Sequence, residues 1–229
     1  MSRTLIKRAK AEAILARSGW LSLQSHAFQE EVLRRSILLH FPAGEVIYRF
    51  GDEPGGIFGL VEGTLTVNTA PPNRTPQLIH IGAPGAWTGE GCFLTRQPRR
   101  LELRALVETW MIHLPLDQMD QMAAADPAVT RAFSHILMAS VEVLIRIVHD
   151  LQIPDPARRI ASVLKRATWI GERPIPLTQG DVGLMANASR KQVNVALARF
   201  ARLGWVKTDY RSISILDVGE LGRFASGEQ

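Results

Sequence analysis

The chain has 229 residues, of which 46% are hydrophobic and 21% are charged, and its formal net charge is +5. This composition is typical of a soluble globular protein and excludes a disordered or fibrous chain, and the length favours two domains. The single cysteine, Cys92, excludes an intrachain disulfide and a cluster held by four thiolates of one chain. Because the N-terminus lacks an apolar signal core, we expect a cytoplasmic protein.

Residues 1–125 are predicted to form short helices followed by a β-domain. The helices fall in residues 5–37, and their expected buried side chains are Leu15, Leu21, Phe28, Val32 and Leu33. From Phe41 to about Pro115, short apolar runs alternate with glycine and proline, a pattern typical of a β-sandwich or roll. The candidate strands are residues 46–48, 57–61, 64–67, 78–81, 101–107 and 110–113. The segment between Asn68 and Pro76 is expected to be a mobile hairpin tip.

Residues 126–153 are predicted to form one long helix, capped by Asp126 with Pro127 in its first turn and ending near Gln152. Apolar side chains cover most of its circumference, so the helix must be buried on more than one side. One face can pack on the β-domain, and the simplest partner for the other is the same helix of a second copy, which predicts a homodimer. The alternative is the central helix of a monomeric core. A membrane span is not expected, because the apolar stretch contains His135, Glu142, Arg146 and His149.

Residues 154–229 carry the whole net charge. Residues 1–154 contain fifteen basic and fifteen acidic side chains, whereas residues 155–229 contain twelve and seven. Clustered cations favour nucleic acid because the counterions that they release drive association with phosphates. The segment Pro154-Asp155-Pro156 ends the long helix, and we expect the domain boundary and a hinge there.

Between Thr178 and Leu216 the pattern predicts a winged helix-turn-helix. Thr178 with Asp181, and Ser189 with Gln192, match the capping box that begins a helix, and Asn187 suits the left-handed turn between the helices. The second helix is expected to bury Val193, Leu197 and Phe200, and residues 205–208 and 212–216 are expected to form the wing. The side chains predicted to bind duplex DNA, at a palindromic site, are Thr178, Ser189, Arg190, Lys191, Gln192, Asn194, Arg199, Lys207 and Arg211.

A further motif lies in the β-domain, where Gly89-Glu90-Gly91-Cys92-Phe93-Leu94 is followed after three residues by Pro98-Arg99-Arg100. This motif makes the chain resemble the cyclic-AMP receptor protein/fumarate–nitrate regulator (Crp/Fnr) superfamily. The resemblance extends from about Leu21 to Phe224, and it is also carried by Gly51-Asp52, Gly63 and the segment from Ser189 to Val193. The motif is similar to the phosphate-binding cassette of cyclic-nucleotide domains. The resemblance implies an α+β fold with an N-terminal β-roll of the jelly-roll, cyclic-nucleotide-binding kind, a long dimerisation helix and a C-terminal winged helix-turn-helix.

A cyclic nucleotide would place one negative charge in a partly buried pocket, which requires a cation and several donors. Arg99 is expected to donate to the phosphate, backbone N–H groups around Gly91 and Cys92 to form an anion-binding concavity, and Glu90 to accept from the ribose 2′-hydroxyl. The predicted ligand set is Gly89, Glu90, Gly91, Cys92, Arg99, Arg100 and Arg146. Cyclic AMP is the first expected effector and cyclic GMP the second. The alternative is that Glu90 and Arg99 pair with each other.

Two departures from the family pattern bear on specificity. Leu144 and Ile145 stand where the resemblance implies polar contacts to the purine, with Arg146 beside them. In the recognition helix the family commonly has Arg-Glu and a second Arg four residues after the Glu, whereas this chain has Arg190, Lys191 and Val195. We therefore expect a half-site that differs from the family's commonest one.

Two other functions stay open at this point. A constitutive regulator would use the roll as a scaffold, and a redox sensor would act through Cys92. An enzyme built on a jelly roll is a distant third, because no motif assembles catalytic residues and the histidines lack metal-ligand spacing. No catalytic residue, metal or cofactor is therefore predicted, and RNA polymerase is an open further partner.

Overall fold

The computed structural model describes residues 6–69, 76–168 and 174–228. Residue contacts divide the chain into two compact units: the first runs to Glu142 except for Gln77–Ile81, which belongs with Val143 and the residues after it in the second. This division falls inside the long helix, so the domain boundaries predicted after residues 125 and 153 stay predictions. The hairpin tip predicted between Asn68 and Pro76 lies largely outside the described residues.

The first unit begins with three short helices, α1 (Arg8–Arg17), α2 (Gly19–Ser22) and α3 (His26–Arg35). Of the side chains predicted to be buried here, four are buried and Phe28 is half-buried against the same core. The helical segment ends earlier than predicted, because Ile37 already belongs to the first strand.

The β-domain is a roll of two antiparallel four-stranded sheets. Its strands are β1 (Ile37–Phe41), β2 (Val46–Tyr48), β3 (Ile57–Glu62), β4 (Leu65–Thr69), β5 (Gln77–Gly82), β6 (Trp87–Thr88), β7 (Leu101–Ala105) and β8 (Thr109–Leu114). The sheet orders are β1-β8-β3-β6 and β2-β7-β4-β5. Each predicted apolar run is a strand, which confirms the roll, whereas β1 and β6 were not predicted.

Apolar side chains fill the space between the two sheets. One sheet contributes Tyr48, Leu65 and Leu103, and the other contributes Phe58, Leu60 and Met111. On its other face β3 packs against the N-terminal helices through Ile57 and Val61. This burial on both sides explains why β3 is a continuous apolar run rather than an alternating one.

Three helices complete the first unit and lead out of it: α4 (Glu90–Thr95), α5 (Leu116–Ala125) and α6 (Ala128–Gln152). α6 has the predicted extent, and the Asp126 Oδ1 atom accepts from the Ala128 N–H at 2.9 Å. Its first turns pack on the N-terminal helices and α4. The Phe133 ring is fully buried against Trp20, Phe28 and Phe93, and the Trp20 indole donates to the Ala132 carbonyl at 2.7 Å.

The second unit contains the predicted helix-turn-helix and wing. Its helices are α7 (Pro156–Ala167), α8 (Gln179–Ala186), α9 (Arg190–Arg202) and α10 (Val218–Ser226), and its strands are β9 (Val206–Asp209) and β10 (Ser212–Ile215). Asp155 caps α7 by accepting from the Ala157 N–H, one residue after the break at Pro154. α10 was not predicted, and its Phe224 ring packs against Phe200 of α9.

Candidate ligand site and nucleic-acid interface

The predicted cassette folds as the short helix α4, and Gly89 determines where that helix begins. Gly89 has a φ of 103°, which side chains of L-residues rarely adopt. A Cβ atom at this position would also lie 2.7 Å from the Arg99 Nη1 atom and 2.7 Å from the Gly56 carbonyl oxygen. Gly89 therefore allows the backbone to approach the Arg99 guanidinium closely.

Arg99 is buried in the roll, with 6% of its surface exposed. Its Nη2 atom donates to the Gly56 carbonyl at 2.8 Å and its Nη1 atom to the Gly89 carbonyl at 3.2 Å. The guanidinium carbon lies 4.3 Å from the centroid of the Tyr48 ring, a distance at which a cation is attracted to an aromatic face. The guanidinium is thus held beside α4 by two backbone carbonyls and by two aromatic rings, since the centroid of the Phe58 ring also lies 5.7 Å from the guanidinium carbon.

Glu90 is equally buried, and its Oε1 atom accepts from the Ser140 Oγ atom of α6 at 3.2 Å. Burial raises the pKa of the Glu90 carboxyl, and the Ser140 hydrogen bond and the Arg99 charge oppose that increase. The side-chain bonds of Glu90 and Arg99 go to other groups, so the alternative in which the two residues pair directly does not describe this structure.

The remaining predicted ligand residues differ in exposure. Cys92 is buried, and Gly91 is half-buried with space beside its Cα atom. Arg100 is exposed, next to the buried Arg99. Burial of Cys92 agrees with a packing role rather than with an accessible thiol.

The long helix contacts the cassette through a residue that the sequence did not single out. Ser140, not the stretch from Leu144 to Arg146, is the residue of α6 that bonds to Glu90. Arg146 is exposed and lines a different cavity, which it shares with Asp150. Its contact with the nucleotide therefore stays a prediction, and Ser140 is a candidate site residue that the pattern of apolar residues could not identify.

Two capping boxes position the helix-turn-helix, as predicted. The Thr178 and Ser189 hydroxyls accept from the N–H groups of Asp181 and Gln192, and the side chains of those two residues accept in return from the cap N–H groups. Asn187 adopts the left-handed conformation between the helices, with a φ of 46°. Local sequence signals therefore determine where both helices of the motif begin.

The recognition helix α9 is amphipathic, with the predicted apolar residues on its buried face. Val193, Leu197 and Phe200 are buried, and Val195 on the opposite face is 63% exposed. Among the predicted DNA-binding residues, Arg190, Lys191, Gln192, Asn194 and Arg199 are all exposed.

Two of these residues already have intramolecular contacts. The Gln192 Oε1 atom belongs to the capping box, and the Arg199 guanidinium lies 4.7 Å from the centroid of the Phe224 ring. Arg190, Lys191 and Asn194 are therefore the stronger candidates for base contacts.

The wing begins after α9 and carries the last two predicted DNA contacts. Lys207 lies 3.3 Å from Asp209 on β9, and Arg211 occupies the hairpin turn with a φ of 56°. Tyr210, the neighbouring residue of the turn, is 92% exposed. A groove of about 480 Å³ separates the turn from Arg190 at the start of α9. The described residues of this head thus present cations from both α9 and the wing.

Arg159 of α7 is a structural residue that the sequence analysis missed. Its guanidinium donates to the carbonyls of Ile153 and Pro154 at the hinge, at 2.8 and 3.1 Å, and to those of Ala186 and Asn187 at 2.8 and 2.9 Å. Arg159 therefore joins the predicted hinge to the turn between α8 and α9.

The histidines give no indication of a metal site. Within the described ranges, no group of three or more His, Cys, Asp or Glu side chains could hold a metal ion. The pKa of His80 is lowered to about 4, first by burial and then by the charge of Arg166. The pKa of His113 is lowered to about 4 by burial and by the charge of Arg99, so both imidazoles are neutral at physiological pH.

Comparison with known proteins agrees with this architecture. A model of the cyclic nucleotide-binding domain matches residues 38–126, and a model of the Crp-like helix-turn-helix domain matches residues 158–224. A CRP-like cAMP-activated global transcriptional regulator of Mycobacterium tuberculosis is 23% identical over 222 residues, which cover 93% of this chain and 99% of that protein.

Solved structures share this fold over most of the chain at low sequence identity. FixK2 from Bradyrhizobium japonicum has a TM-score of 0.71 at 16% identity, over 82% of this chain and 96% of that chain. A CRP-family transcriptional regulator from Thermus thermophilus has a TM-score of 0.67 at 22% identity, over 82% of this chain and 96% of that chain.

A β-roll, a long helix and a winged helix-turn-helix, with matches to both domain models, define a DNA-binding transcription regulator that contains a cyclic nucleotide-binding domain. The chain belongs to the Crp/Fnr superfamily of transcription regulators, as its motifs predicted.

Proposed function

We propose that two copies of this chain form a homodimer that binds a palindromic operator, and that a cyclic nucleotide in the roll controls its affinity for DNA. Cyclic AMP is the first ligand to test and cyclic GMP the second. The observation that carries this proposal is the hydrogen bond between Glu90 and Ser140, because it links the cassette to the helix that carries the exposed apolar surface. A ligand that binds Glu90 competes with or changes this bond.

The chemistry of the cassette suits a cyclic phosphodiester. The N–H groups of Arg99 can turn from backbone carbonyls to the exocyclic oxygens, and such charge-assisted bonds are stronger than bonds to a neutral carbonyl. Glu90 is the acceptor for a ribose hydroxyl. A tenfold gain in DNA affinity needs a difference in ligand binding of only about 1.4 kcal/mol between the two DNA-binding states.

The second half of α6 supports a homodimer. Leu137, Leu144, Val148 and Leu151 are 41–55% exposed, and with Val141 they follow the alternating spacing of three and four residues that is typical of a coiled-coil seam. α6 is also the helix, among the described residues, that is long and apolar enough to cross a membrane. We assign its exposed apolar residues to a second copy, and we propose a cytoplasmic protein with no membrane partner.

Two heads related by a twofold axis can bind two half-sites about 34 Å apart. In each head, Arg190, Lys191 and Asn194 are proposed to contact base edges. Lys207 and Arg211 are proposed to contact phosphates, and Thr178 and Ser189 to position the helices that approach the backbone. RNA polymerase is the further partner that a regulator bound beside a promoter would meet.

Calorimetric titration of the full chain with cyclic AMP and cyclic GMP tests this proposal. We expect wild-type protein to bind cyclic AMP with micromolar affinity and Arg99→Ala to bind at least tenfold more weakly. Arg34→Ala is the matched control, because Arg34 is an exposed arginine of α3 that bonds to Glu31. Absence of heat with both nucleotides, from protein that still binds its operator, would contradict control by a cyclic nucleotide.

A ligand-independent regulator is the second candidate, and one observation favours it. The Arg99 and Glu90 side chains already form hydrogen bonds with other groups of the protein. Arg99 donates to the carbonyls of Gly56 and Gly89, and Glu90 accepts from the Ser140 hydroxyl. This candidate predicts equal operator affinity for wild type and Arg99→Ala, with and without nucleotide. A redox role for Cys92 has less support because the thiol is buried, and Cys92→Ser tests it through the response of DNA binding to oxidation.

A further inference from the structure

A cavity of about 360 Å³ lies between the end of α6 and α7, within the second unit. The residues that line it are Ile145, Arg146, His149, Asp150, Ser162, Lys165 and Arg166. Three of these side chains are permanent cations and one is a carboxylate, so the lining carries a net positive charge. The cassette contributes none of these residues.

Arg166 is the most unusual residue of this cavity. Its side chain is 5% exposed and forms an ion pair with Asp150, to which the Nη1 atom donates. Within the described residues, the buried Nε and Nη2 atoms of Arg166 have no hydrogen-bond partner. A buried donor without a partner is costly, and the cost is larger for a charged group. Burial accordingly lowers the pKa of the Arg166 guanidinium, against the opposing charge of Asp150.

Asp150 is the carboxylate among the residues that line this cavity. One of its carboxylate oxygens accepts from the Ser162 hydroxyl at 2.5 Å and the other from Arg166. The Arg146 and Lys165 side chains are exposed at the rim of the cavity. An anion in the cavity would lie beside the buried Arg166 guanidinium, whose Nε and Nη2 edge is unpaired in the described part of the chain, and beside two exposed cations.

We propose that this cavity is a binding site for a small phosphate-bearing molecule, distinct from the cyclic-nucleotide cassette. The Nε and Nη2 atoms form one edge of the guanidinium fork, and two parallel N–H groups match two oxygens of a phosphoryl group. One water molecule occupies about 30 Å³ in the liquid, so the cavity has the volume of about twelve waters. This volume exceeds that of a phosphate ion, and an attached organic group therefore also fits. Such a ligand holds the end of α6 on α7, which stabilises the connection between the long helix and the DNA-binding head.

Titration of the full chain with inorganic phosphate and with AMP, at constant ionic strength in a buffer without phosphate or sulfate, tests the proposal. We expect saturable heat with one site per chain and a rise in the melting temperature. In Arg166→Gln the affinity falls at least tenfold. Inorganic phosphate and AMP distinguish a free ion from a nucleotide monoester by which of them binds more tightly.

Two further variants keep the test decisive if Arg166→Gln does not fold. The double variant Arg146→Gln/Lys165→Gln removes both rim cations and is expected to bind at least tenfold more weakly. Lys7→Gln/Lys10→Gln, on the exposed surface of α1, removes the same charge elsewhere and is expected to bind as wild type does. Equal affinity in the rim variant and wild type, or absence of saturable heat with both probes, overturns the proposal.

The proposal does not rest on the cyclic-nucleotide proposal, and the two can fail separately. Arg99→Ala is expected to retain the binding of phosphate. The single variant Lys165→Gln, which leaves the predicted nucleotide contact Arg146 unchanged, is expected to retain the binding of cyclic AMP. Loss of phosphate binding in Arg99→Ala would assign the anion to the cassette instead of the cavity.

Discussion

Glu90 is a carboxylate inside the roll whose ionisation is opposed by its surroundings. Burial raises its pKa, so the folded chain binds this proton more tightly than the unfolded chain does. Glu90 therefore contributes most stability at low pH, and that contribution is lost as the pH rises from the ordinary value of 4.5 through the raised pKa. A buried carboxylate that reduces stability at neutral pH is typical of a functional residue.

We predict that Glu90→Gln is more stable than wild type at neutral pH, and that the difference disappears as the pH falls towards 4.5. Urea unfolding of both proteins from pH 4.5 to pH 8 measures this difference. Glu53→Gln, a change at an exposed carboxylate of the same unit, controls for the loss of one negative charge. A stability difference that stays constant across this pH range would contradict the prediction.

Lys191 and Val195 are exposed on the face of α9 where the family commonly has a glutamate and a second arginine. A lysine donates to guanine or to a phosphate, whereas a glutamate accepts from the cytosine N4 amino group. The exposed Val195 can contact a thymine methyl group and cannot donate a hydrogen bond. These two positions are where the preferred half-site is expected to depart from the family's.

We predict that Lys191→Glu changes the preferred base at one position of each half-site by about 1–3 kcal/mol of discrimination. Selection of binding sites from a randomised operator, followed by competition binding, measures the change. Lys207→Glu on the wing should instead weaken all sequences alike, because phosphate contacts carry no sequence information. An unchanged base preference in Lys191→Glu would show that Lys191 does not contact a base.

At the scale of elements, α6 combines two different surfaces. Its first turns bury Phe133 and Ile136 in the core shared with the N-terminal helices, whereas Leu144 and Val148 in its second half are about half exposed. Complete burial of a leucine side chain contributes about 1.5–3 kcal/mol relative to leaving it in water. Five seam positions from each of two helices could therefore supply enough free energy for a stable dimer.

We predict that Leu144→Asp converts the dimer into a monomer, because two carboxylates would face each other across an apolar seam. Sedimentation equilibrium measures the mass, and the affinity for a palindromic operator should fall with it. Ala139→Asp introduces the same charge on an exposed α6 residue outside the seam, and it should leave the mass unchanged. A monomeric wild-type protein would contradict the assignment of the seam.

Arg159 determines how α7 joins the hinge to the helix-turn-helix, since four backbone carbonyls accept from its guanidinium. Removal of the side chain leaves these carbonyls to bond with water or to lose their partners. Hydrogen bonds to charged groups contribute about 1.5–3 kcal/mol each when they are buried, and less when they are partly exposed as here.

We predict that Arg159→Ala lowers the free energy of unfolding by at least about 2 kcal/mol and also weakens operator binding. Chemical denaturation and DNA titration measure the two effects. Arg158→Ala is the matched comparison, because the Arg158 Nε atom donates to one carbonyl, that of Ala225. Equal losses in the two variants would contradict a special role for Arg159.

For the whole molecule, the positive charge of residues 155–229 predicts strongly salt-dependent DNA binding. The logarithm of the binding constant falls with the logarithm of salt concentration, with a slope of about −0.9 for each neutralised phosphate. In the proposed dimer, Lys207→Gln/Arg211→Gln removes two proposed phosphate contacts from each head.

We predict that this double variant reduces the magnitude of the salt slope by about 3 to 4. Operator titrations between low and physiological salt measure the slope. Lys7→Gln/Lys10→Gln removes equal charge from the first unit and should leave the slope as it is in wild type. An unchanged slope in the wing variant would mean that Lys207 and Arg211 do not neutralise phosphates.

The sequence predicted best those features that local chemistry decides. Each capping box is a contact between residues three apart, so Thr178 and Ser189 identified both helix starts of the head. The same holds for the break at Pro154 and for the roll, whose strands are separated by glycine and proline. The strand β6 has only two residues and therefore a weak local signal, and the apolar run that forms β1 does not by itself distinguish a strand from a helix.

Contacts between distant segments could not be predicted in this way. The apolar pattern of α6 does not say which turn of that helix meets the cassette, and the hydrogen bond between Ser140 and Glu90 was therefore not predicted. The four carbonyl partners of Arg159 and the ion pair between Asp150 and Arg166 also join residues of different elements. None of these pairings has a spacing that marks it in the sequence.

Ser140 lies on α6 between Leu137 and Leu144, two positions of the exposed seam. A partner helix that shifts α6 also moves the Ser140 hydroxyl relative to Glu90. If helix pairing changes the free energy of nucleotide binding through this bond, then by thermodynamic reciprocity the nucleotide changes the free energy of helix pairing by the same amount. The two rolls of the proposed dimer would then not titrate independently. Their binding isotherm would depart from a single hyperbola, with an apparent affinity that depends on protein concentration near the dissociation constant of the dimer.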